Sequence, residues 1–351
     1  MSFWKNVWSG TKKGAWAIGR GAGFVYRKGS ENTHYLLPVL NGVIGDKLAE
    51  SGDFRAIQMS FRLNGEDIAI TDPRFKSIVA RNARVLIFVH GLMVDEVLWQ
   101  EHAPDKPGFA PRLAEASGGT ALYVRYNSGM HVSENGRALS NLIQAFVDEF
   151  SPEQIAIVAH SMGGLVSRSA GYYAGIQNQN WTQRLRRVVL LGVPNDGSYL
   201  EKLGHLTTTI LKTIWTIPTR IIGNIANQRS NGIKDLRWGF LVDEDWKHAG
   251  AEGILSAKRT NVAPIPDVTY YVVVGTLTKD DQSPVNLYFG DGLVGRKSAS
   301  GEVFRQAQAA HGNSAEQDFL VFRVFPGLGH VGLITNEEVY DYVRSVLVVE
   351  K

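Results

Sequence analysis

Residues 155–166 read Ile-Ala-Ile-Val-Ala-His-Ser-Met-Gly-Gly-Leu-Val. The stretch begins as an apolar run of the kind that forms a buried strand, stops at Ser161 and continues at once in a helical pattern. Small residues are needed around such a serine, because strand and helix close up there and the serine adopts a sparsely allowed backbone conformation. Ala159 precedes Ser161 by two positions and Gly163 follows it by two. The pattern predicts a strand, a strained turn with Ser161 at its apex, and a helix, as in a nucleophile elbow.

A serine at such a turn can also do no more than cap the helix that follows it. The same helix would, however, place its N-terminal dipole and its free backbone N–H groups beside Ser161, where they favour a developing negative charge. We expect Ser161 to be a nucleophile, because the rest of the chain supplies a base and an acid in suitable places.

Length and composition limit the classes of function. A chain of 351 residues can bury the core of one large α/β domain with insertions, or of two domains. It has no cysteine, which excludes disulfides, thiolate metal sites and a cysteine nucleophile. No His-x-x-x-His or Glu-x-x-His cluster indicates zinc or di-iron, so neither metal is expected.

The charge of the chain is unevenly distributed. It carries 37 basic and 34 acidic side chains, but six of the basic ones and none of the acidic ones fall within residues 1–30. The remainder has no polyanion-binding signature, so a nucleic-acid partner is not expected.

Residues 1–30 mix aromatic, basic and glycine residues. A helical projection separates the apolar side chains from the basic ones, as in helices that lie on a membrane surface. Gly10, Gly14, Gly19, Gly21 and Gly23 oppose this helix, at about 1 kcal/mol each relative to alanine. The segment is either an appendage that packs its tryptophans on the body or a peripheral membrane contact. Neither a secretory signal nor a bilayer-spanning run is recognised, which predicts a cytoplasmic protein, with membrane association through residues 1–30 as the alternative.

Strand and helix patterns alternate through most of the chain. Residues 85–89 are apolar at every position, as expected of a strand that is covered on both faces. Further strands are predicted at residues 121–126, 155–160, 187–192, 268–277 and 319–325, with a hairpin at 54–70 and helices at 133–150 and 337–348. This alternation predicts an α/β fold with a mostly parallel, doubly wound sheet. The rhythm breaks between residues 199 and 264, where apolar residues at helical spacing predict a helical insertion.

A serine, an acid and a histidine each follow a separate predicted strand. Asp291 lies in Gly-Asp-Gly-Leu-Val, and His330 lies in Gly-Leu-Gly-His-Val-Gly-Leu, directly before the C-terminal helix. The order Ser161, Asp291, His330 predicts a catalytic triad in which His330 is the base and Asp291 orients it. Serine needs a base to become a good nucleophile, and histidine titrates near neutral pH. Asp196, which follows the strand at 187–192, is the rival acid.

With these motifs, residues 54–351 resemble α/β-hydrolases of the bacterial serine esterase and lipase type. The Ala-His-Ser-Met-Gly elbow is similar to that of small bacterial lipases, and the segment around His330 resembles their catalytic-histidine loop. Residues 191–198, Leu-Gly-Val-Pro-Asn-Asp-Gly-Ser, resemble the Leu-Gly-Thr-Pro-His-His-Gly-Ser segment of lipases and GPI inositol-deacylase-like proteins, with departures at 193, 195 and 196. The resemblance implies hydrolysis of carboxylic esters without a cofactor.

The resemblance also implies roles for a second set of residues. The His-Gly pair after the strand at 85–89 would place the Leu92 N–H at an oxyanion hole, with the Met162 N–H as the second donor, while the His90 side chain packs in the core. The insertion at 199–264 occupies the position of a cap or lid. The candidate substrate-binding residues are Met93, Leu211, Ile214 and Trp215.

The sequence thus predicts an N-terminal appendage at 1–50, a hydrolase core at 51–198 and 265–351, and a lid at 199–264. The predicted substrate is a small-molecule or lipid ester, cleaved through an acyl-serine intermediate. The same triad also serves amidases and thioesterases. A different class of function is a membrane-docked binding protein on a hydrolase scaffold without catalysis, which the presence of all three triad residue types disfavours. The oligomeric state is not predicted.

Overall fold

The computed structural model describes residues 36–79, 84–103, 106–197, 229–247, 259–276, 301, 304 and 319–348. Strands within these ranges are β1 (Ser60–Leu63), β2 (Glu66–Ile68), β3 (Arg84–Val89), β4 (Glu101–Ala103), β5 (Lys106–Pro107), β6 (Thr120–Arg125), β7 (Gln154–His160), β8 (Leu185–Leu191), β9 (Thr269–Thr276) and β10 (Leu320–Pro326). Helices are α1 (Leu36–Glu50), α2 (Pro73–Val79), α3 (Val97–Gln100), α4 (Phe109–Ser117), α5 (Val132–Phe150), α6 (Met162–Ile176), α7 (Asn231–Trp238), α8 (Asp243–Lys247) and α9 (Glu337–Leu347). Short 3-10 helices lie at Asn180–Arg184 and His330–Ile334.

Eight of these strands form one sheet, in the order β10-β9-β8-β7-β3-β6-β1-β2. The strands from β10 to β6 pair in parallel, and the β1–β2 hairpin joins antiparallel to β6. The chain passes from β3 to β6 on one side and then crosses to β7 on the other side of β3. The prediction of an α/β fold with a mostly parallel, doubly wound sheet is confirmed.

Apolar cores cover both faces of this sheet, which explains why β3 is apolar at every position. Val85, Ile87 and Val89 belong to a core that includes the inner faces of α5 and α6. Leu86 and Phe88 belong to a second core, built with α4 and α9. Successive strand side chains point to opposite faces, so a strand between two helical layers needs a continuous apolar run.

Helix α1 lies within the segment that the sequence predicts as an appendage, and it packs on the body of the protein. Eight of its 15 residues are buried. The Asn41 side chain fixes the chain that follows α1, because it donates a hydrogen bond to the Arg55 carbonyl and accepts one from the Ile57 N–H. Val39 and Val43 join the core on the α5 and α6 side of the sheet.

None of the helices in the described ranges has both the length and the apolar character that a bilayer crossing demands.

Candidate active site

The candidate site lies at the carboxyl ends of β3 and β7. In open α/β sheets, ligands bind outside the carboxyl ends of the strands, where the strand order changes direction. That change occurs at β3, between β6 and β7. Residues 90–96 leave the end of β3 and are called the β3 loop below; Ser161 follows the end of β7.

The backbone at Ser161 has the strained geometry that the sequence predicts. Ser161 separates β7 from α6 and has φ 54° and ψ −126°, a conformation that side-chain-bearing residues rarely adopt. Its N–H donates to the Leu191 carbonyl at the end of β8 over 2.9 Å. Glycine is required at position 163, because a methyl group there would lie 2.4 Å from the His90 carbonyl oxygen.

Ser161 is enclosed by its neighbours. It is buried, and the β3 loop passes close to it, because a methyl group on Gly91 would lie 3.1 Å from the Ser161 Cβ. The elbow therefore brings together the residues that follow β3, β7 and β8.

The predicted oxyanion donors are the backbone N–H groups of Leu92 and Met162. Met162 is the first residue of α6, and first-turn N–H groups have no partner within their own helix. The Met93 N–H donates to Ser128 Oγ over 3.1 Å, whereas the Leu92 N–H donates no hydrogen bond within the described residues. The oxyanion role of Leu92 and Met162 stays a prediction.

His330 lies beside Gly192 and His160. It begins the 3-10 helix that follows β10, and its side chain is buried. Gly192, just after β8, has φ 60°, and a methyl group on it would lie 2.9 Å from His330 Nδ1. The rings of His330 and His160 are 4.6 Å apart, which places His330 against the residue that precedes Ser161.

The candidate acids of the triad are Asp291 and Asp196. Asp291 lies outside the described residues, in the connection from β9 to β10. Asp196 follows β8, and its carboxylate forms a half-buried ion pair with Arg259, with 3.4 Å between Oδ1 and Nη2.

The His90 side chain has a structural environment. Its Nδ1 donates to the Gly91 carbonyl over 2.8 Å, and its Nε2 accepts the Tyr126 N–H over 3.3 Å. The His90 and Tyr126 rings stack with 4.3 Å between their centroids. Burial lowers the pKa of His90 to about 4, so the imidazole is neutral near pH 7. The ring shapes the loop, as the sequence suggests.

His160 is a site residue that the sequence does not single out. Its Nε2 donates to the His330 carbonyl over 3.3 Å. Burial, with the nearby His330, lowers its pKa well below the usual value, so the ring is neutral. The position of His160 next to Ser161 is the signal that could have indicated a role at the site. Its hydrogen-bond partner, His330, lies 170 residues away in sequence.

A buried ionic cluster at the end of the β3 loop was also not predicted. Arg125 donates to both carboxylate oxygens of Glu96 over 2.7 Å and to Asp95 over 3.2 Å, and Arg62 donates to Glu96 over 3.0 Å. Burial and the neighbouring Glu96 raise the pKa of Asp95 to about 6. The cluster pairs acids with arginines, and no group of His, Asp and Glu side chains in the described ranges is arranged to hold a metal ion.

The candidate substrate-binding residues are only partly described. Met93 has φ 60° and is buried, with its side chain against Gly42 of α1. Leu211, Ile214 and Trp215 lie outside the described residues. Helix α7, in the predicted lid, lies beside the elbow: a methyl group on Gly232 would be 3.0 Å from the Met162 side chain.

Comparison with known proteins gives one family model, described as a domain of unknown function (DUF7379), which matches residues 63–235. No curated protein matches the sequence. Similar solved structures include a lipase of Bacillus licheniformis in mature form (18% identity, TM-score 0.48, covering 83% of this chain and 98% of that one). A second is lipase B of Aspergillus fumigatus, with 13% identity and a TM-score of 0.46, covering 76% of this chain and 53% of that one. A third is an esterase of Pyrococcus furiosus, with 14% identity and a TM-score of 0.44, covering 76% of this chain and 81% of that one. Identities this low carry no statement about activity.

A parallel sheet whose order changes direction at β3, an antiparallel hairpin at its edge, and a strained serine between β7 and α6 occur together here. This chain therefore has the α/β-hydrolase fold.

Proposed function

We propose that this protein hydrolyses carboxylic esters through an acyl intermediate on Ser161. The observation that carries the proposal is the backbone of Ser161, with φ 54° and ψ −126°. A helix-capping serine has β-region dihedrals and accepts a hydrogen bond from the first turn. Ser161 has neither property, since its side chain makes no capping hydrogen bond to α6. Strain of this kind persists where the surroundings enforce it, and functional sites are where it concentrates.

In the proposed reaction the residues around the elbow act in successive steps. Ser161 Oγ attacks the ester carbonyl while His330 accepts its proton, and Asp291 orients the imidazole. The carbonyl oxygen becomes negatively charged and receives hydrogen bonds from the N–H groups of Leu92 and Met162. The tetrahedral adduct collapses, and His330 protonates the departing alcohol. Water, activated by His330, then attacks the acyl-serine and releases the carboxylic acid.

The proposed substrate is an ester with an apolar acyl group. Met93 in the β3 loop and Met162 in the elbow are both buried. Methionine side chains are flexible and can adapt to acyl groups of different shape. In this proposal Leu211, Ile214 and Trp215 of the insertion complete the acyl-binding wall.

The test is a chain-length series of p-nitrophenyl esters with wild type, Ser161→Ala and His330→Ala, each checked for folding by circular dichroism. We expect turnover by wild type and a loss of at least about 10⁴-fold in kcat for both variants. A fluorophosphonate should label wild type and should not label Ser161→Ala. Wild-type turnover in either variant would contradict the assignment, as would a failure of wild type to react with every ester and with the fluorophosphonate.

A further inference from the structure

The β3 loop is held by a short segment at the end of β6. Tyr126 stacks on the His90 ring, donates its backbone N–H to His90 Nε2 over 3.3 Å, and donates its hydroxyl to the His90 carbonyl over 2.9 Å. Arg125, the residue before it, binds Glu96 at the far end of the loop. Between these two anchors, Ser128 Oγ accepts the Met93 N–H over 3.1 Å. Residues 125–128 therefore contact the beginning, the middle and the end of the β3 loop.

The Ser128 contact is the one closest in sequence to the proposed oxyanion donor. Met93 directly follows Leu92, has φ 60° and is buried. A side-chain-bearing residue keeps a positive φ only where other contacts hold it. Because Ser128 occupies the Met93 N–H, the Leu92 N–H is the neighbouring group that remains available.

The backbone at Ser128 and Gly129 is packed against helices α7 and α1. A methyl group on Gly232 of α7 would lie 2.1 Å from the Ser128 carbonyl oxygen, and the Gly232 N–H donates to the Gly129 carbonyl over 3.0 Å. On the other side, a methyl group on Gly129 would lie 2.1 Å from the Asn41 carbonyl oxygen of α1. The backbone around Ser128 is packed between two helices, so its hydroxyl is a fixed acceptor that the β3 loop must meet.

We propose that Ser128 is a positioning residue for ester hydrolysis, which fixes the Met93 N–H and so directs the Leu92 N–H toward the oxyanion. The inference rests on the proposed function and deepens it, because it explains why Leu92 rather than Met93 donates. Ser128 acts through the loop and does not touch the substrate. Its loss should weaken stabilisation of the tetrahedral adduct while leaving binding of the uncharged ester nearly unchanged.

The experiment compares Ser128→Ala and Ser128→Cys with a matched control, Ser140→Ala. Ser140 is also a buried serine with hydrogen bonds, to Gln179 and Trp181, but it lies on α5 away from the elbow. We expect kcat to fall about 10- to 100-fold in Ser128→Ala, as for a donor displaced rather than removed. KM should change less than twofold. Ser128→Cys, with a weaker acceptor, should fall between, and Ser140→Ala should equal wild type.

A second readout separates positioning from a general loss of stability. A trifluoromethyl ketone forms a charged tetrahedral adduct with an active serine, whereas the carboxylic acid product does not. The inhibition constant of the ketone should rise in Ser128→Ala in parallel with the fall in kcat/KM, and that of the product should stay constant. Hydrogen exchange should accelerate in the peptide that contains Met93 and not in the peptide that contains Ser140.

The outcomes distinguish this inference from the function on which it rests. If wild type reacts with fluorophosphonate and Ser128→Ala matches Ser140→Ala in kcat and ketone inhibition, the role of Ser128 is wrong and the proposed function stands. If wild type neither hydrolyses esters nor reacts with fluorophosphonate, the proposed function and the role of Ser128 are both wrong.

Discussion

The two loops beside Ser161 are held in different ways. The β3 loop is fixed through its side chains and N–H groups, by Arg125 on Asp95 and Glu96 and by Ser128 on Met93. The loop after β10, residues 327–334, contacts the elbow through one hydrogen bond, from His160 to the His330 carbonyl, and through the contact between the His330 and His160 rings.

The difference matches what each loop is proposed to do. Oxyanion donors work best when they are already in place before charge develops, so charged and polar anchors suit the β3 loop. A general base has to exchange protons with two different oxygens during the reaction. The His330 ring packs against Gly192 and the His160 ring, while the His330 carbonyl is held by the hydrogen bond from His160. Changes on one loop should therefore alter transition-state stabilisation, and changes on the other should alter proton transfer.

Of the changes that act through His330, substitution of its proposed partner, Asp291, should lower kcat the most. Asp291→Asn should lower kcat by about 10⁴-fold, because the amide no longer holds the imidazole in the right tautomer. Asp196→Asn should stay close to wild type, since Asp196 already pairs with Arg259. Steady-state kinetics on one p-nitrophenyl ester measures both. The reverse ranking would identify Asp196 as the triad acid.

A smaller effect is expected from Asp95 on the β3 loop, and it depends on pH. Burial raises the pKa of Asp95 to about 6, above its value of 3.8 in the unfolded chain. The folded protein thus binds more protons than the unfolded chain between pH 4 and 6, and this group's contribution to the free energy of unfolding falls by about 2 kcal/mol as pH rises through that window. Asp95→Asn should remove the fall. Urea unfolding at pH 4, 5, 6 and 7 measures it, and an unchanged pH profile in the variant would show that Asp95 is not the source.

The smallest effect should come from His160. In His160→Phe the ring volume stays and the donor to the His330 carbonyl is lost, so kcat should fall about tenfold, the equivalent of one hydrogen bond. His160→Gln keeps an N–H donor and should recover part of the activity. Thermal unfolding should show little loss in His160→Phe, because Nδ1 of His160 is buried without a hydrogen-bond partner among the described residues. Equal kcat in the Phe variant and wild type would mean that the contact does not position His330.

The parts of the fold that were predicted are those whose signal is local. The elbow could be predicted because its strand, small residues and helix follow one another within twelve residues. Strand β3 could be predicted because a strand covered on both faces is apolar at every position. The ionic cluster was not, because Arg62 and Arg125 lie 34 and 29 residues from Glu96 and meet it only through the strand order.

The same reason explains His160 and α1. The contact between His160 and His330 spans 170 residues and depends on β7 and β10 ending at the same edge of the sheet. Helix α1 carries apolar residues and glycines on several sides, without the polar face that marks a surface helix. Its burial follows from partners that local patterns do not reveal, such as Gly42 against Met93.

The position of α1 bears on how the protein is handled in the laboratory. An expression fragment that began at the first residue of the family match, Leu63, would lack α1 and all of the hairpin strand β1 except its last residue. It would uncover the apolar surface that Val39 and Val43 now shield, and remove the wall behind Gly129. Such a fragment should collect in inclusion bodies, so boundaries for crystallisation and for library design belong before Leu36.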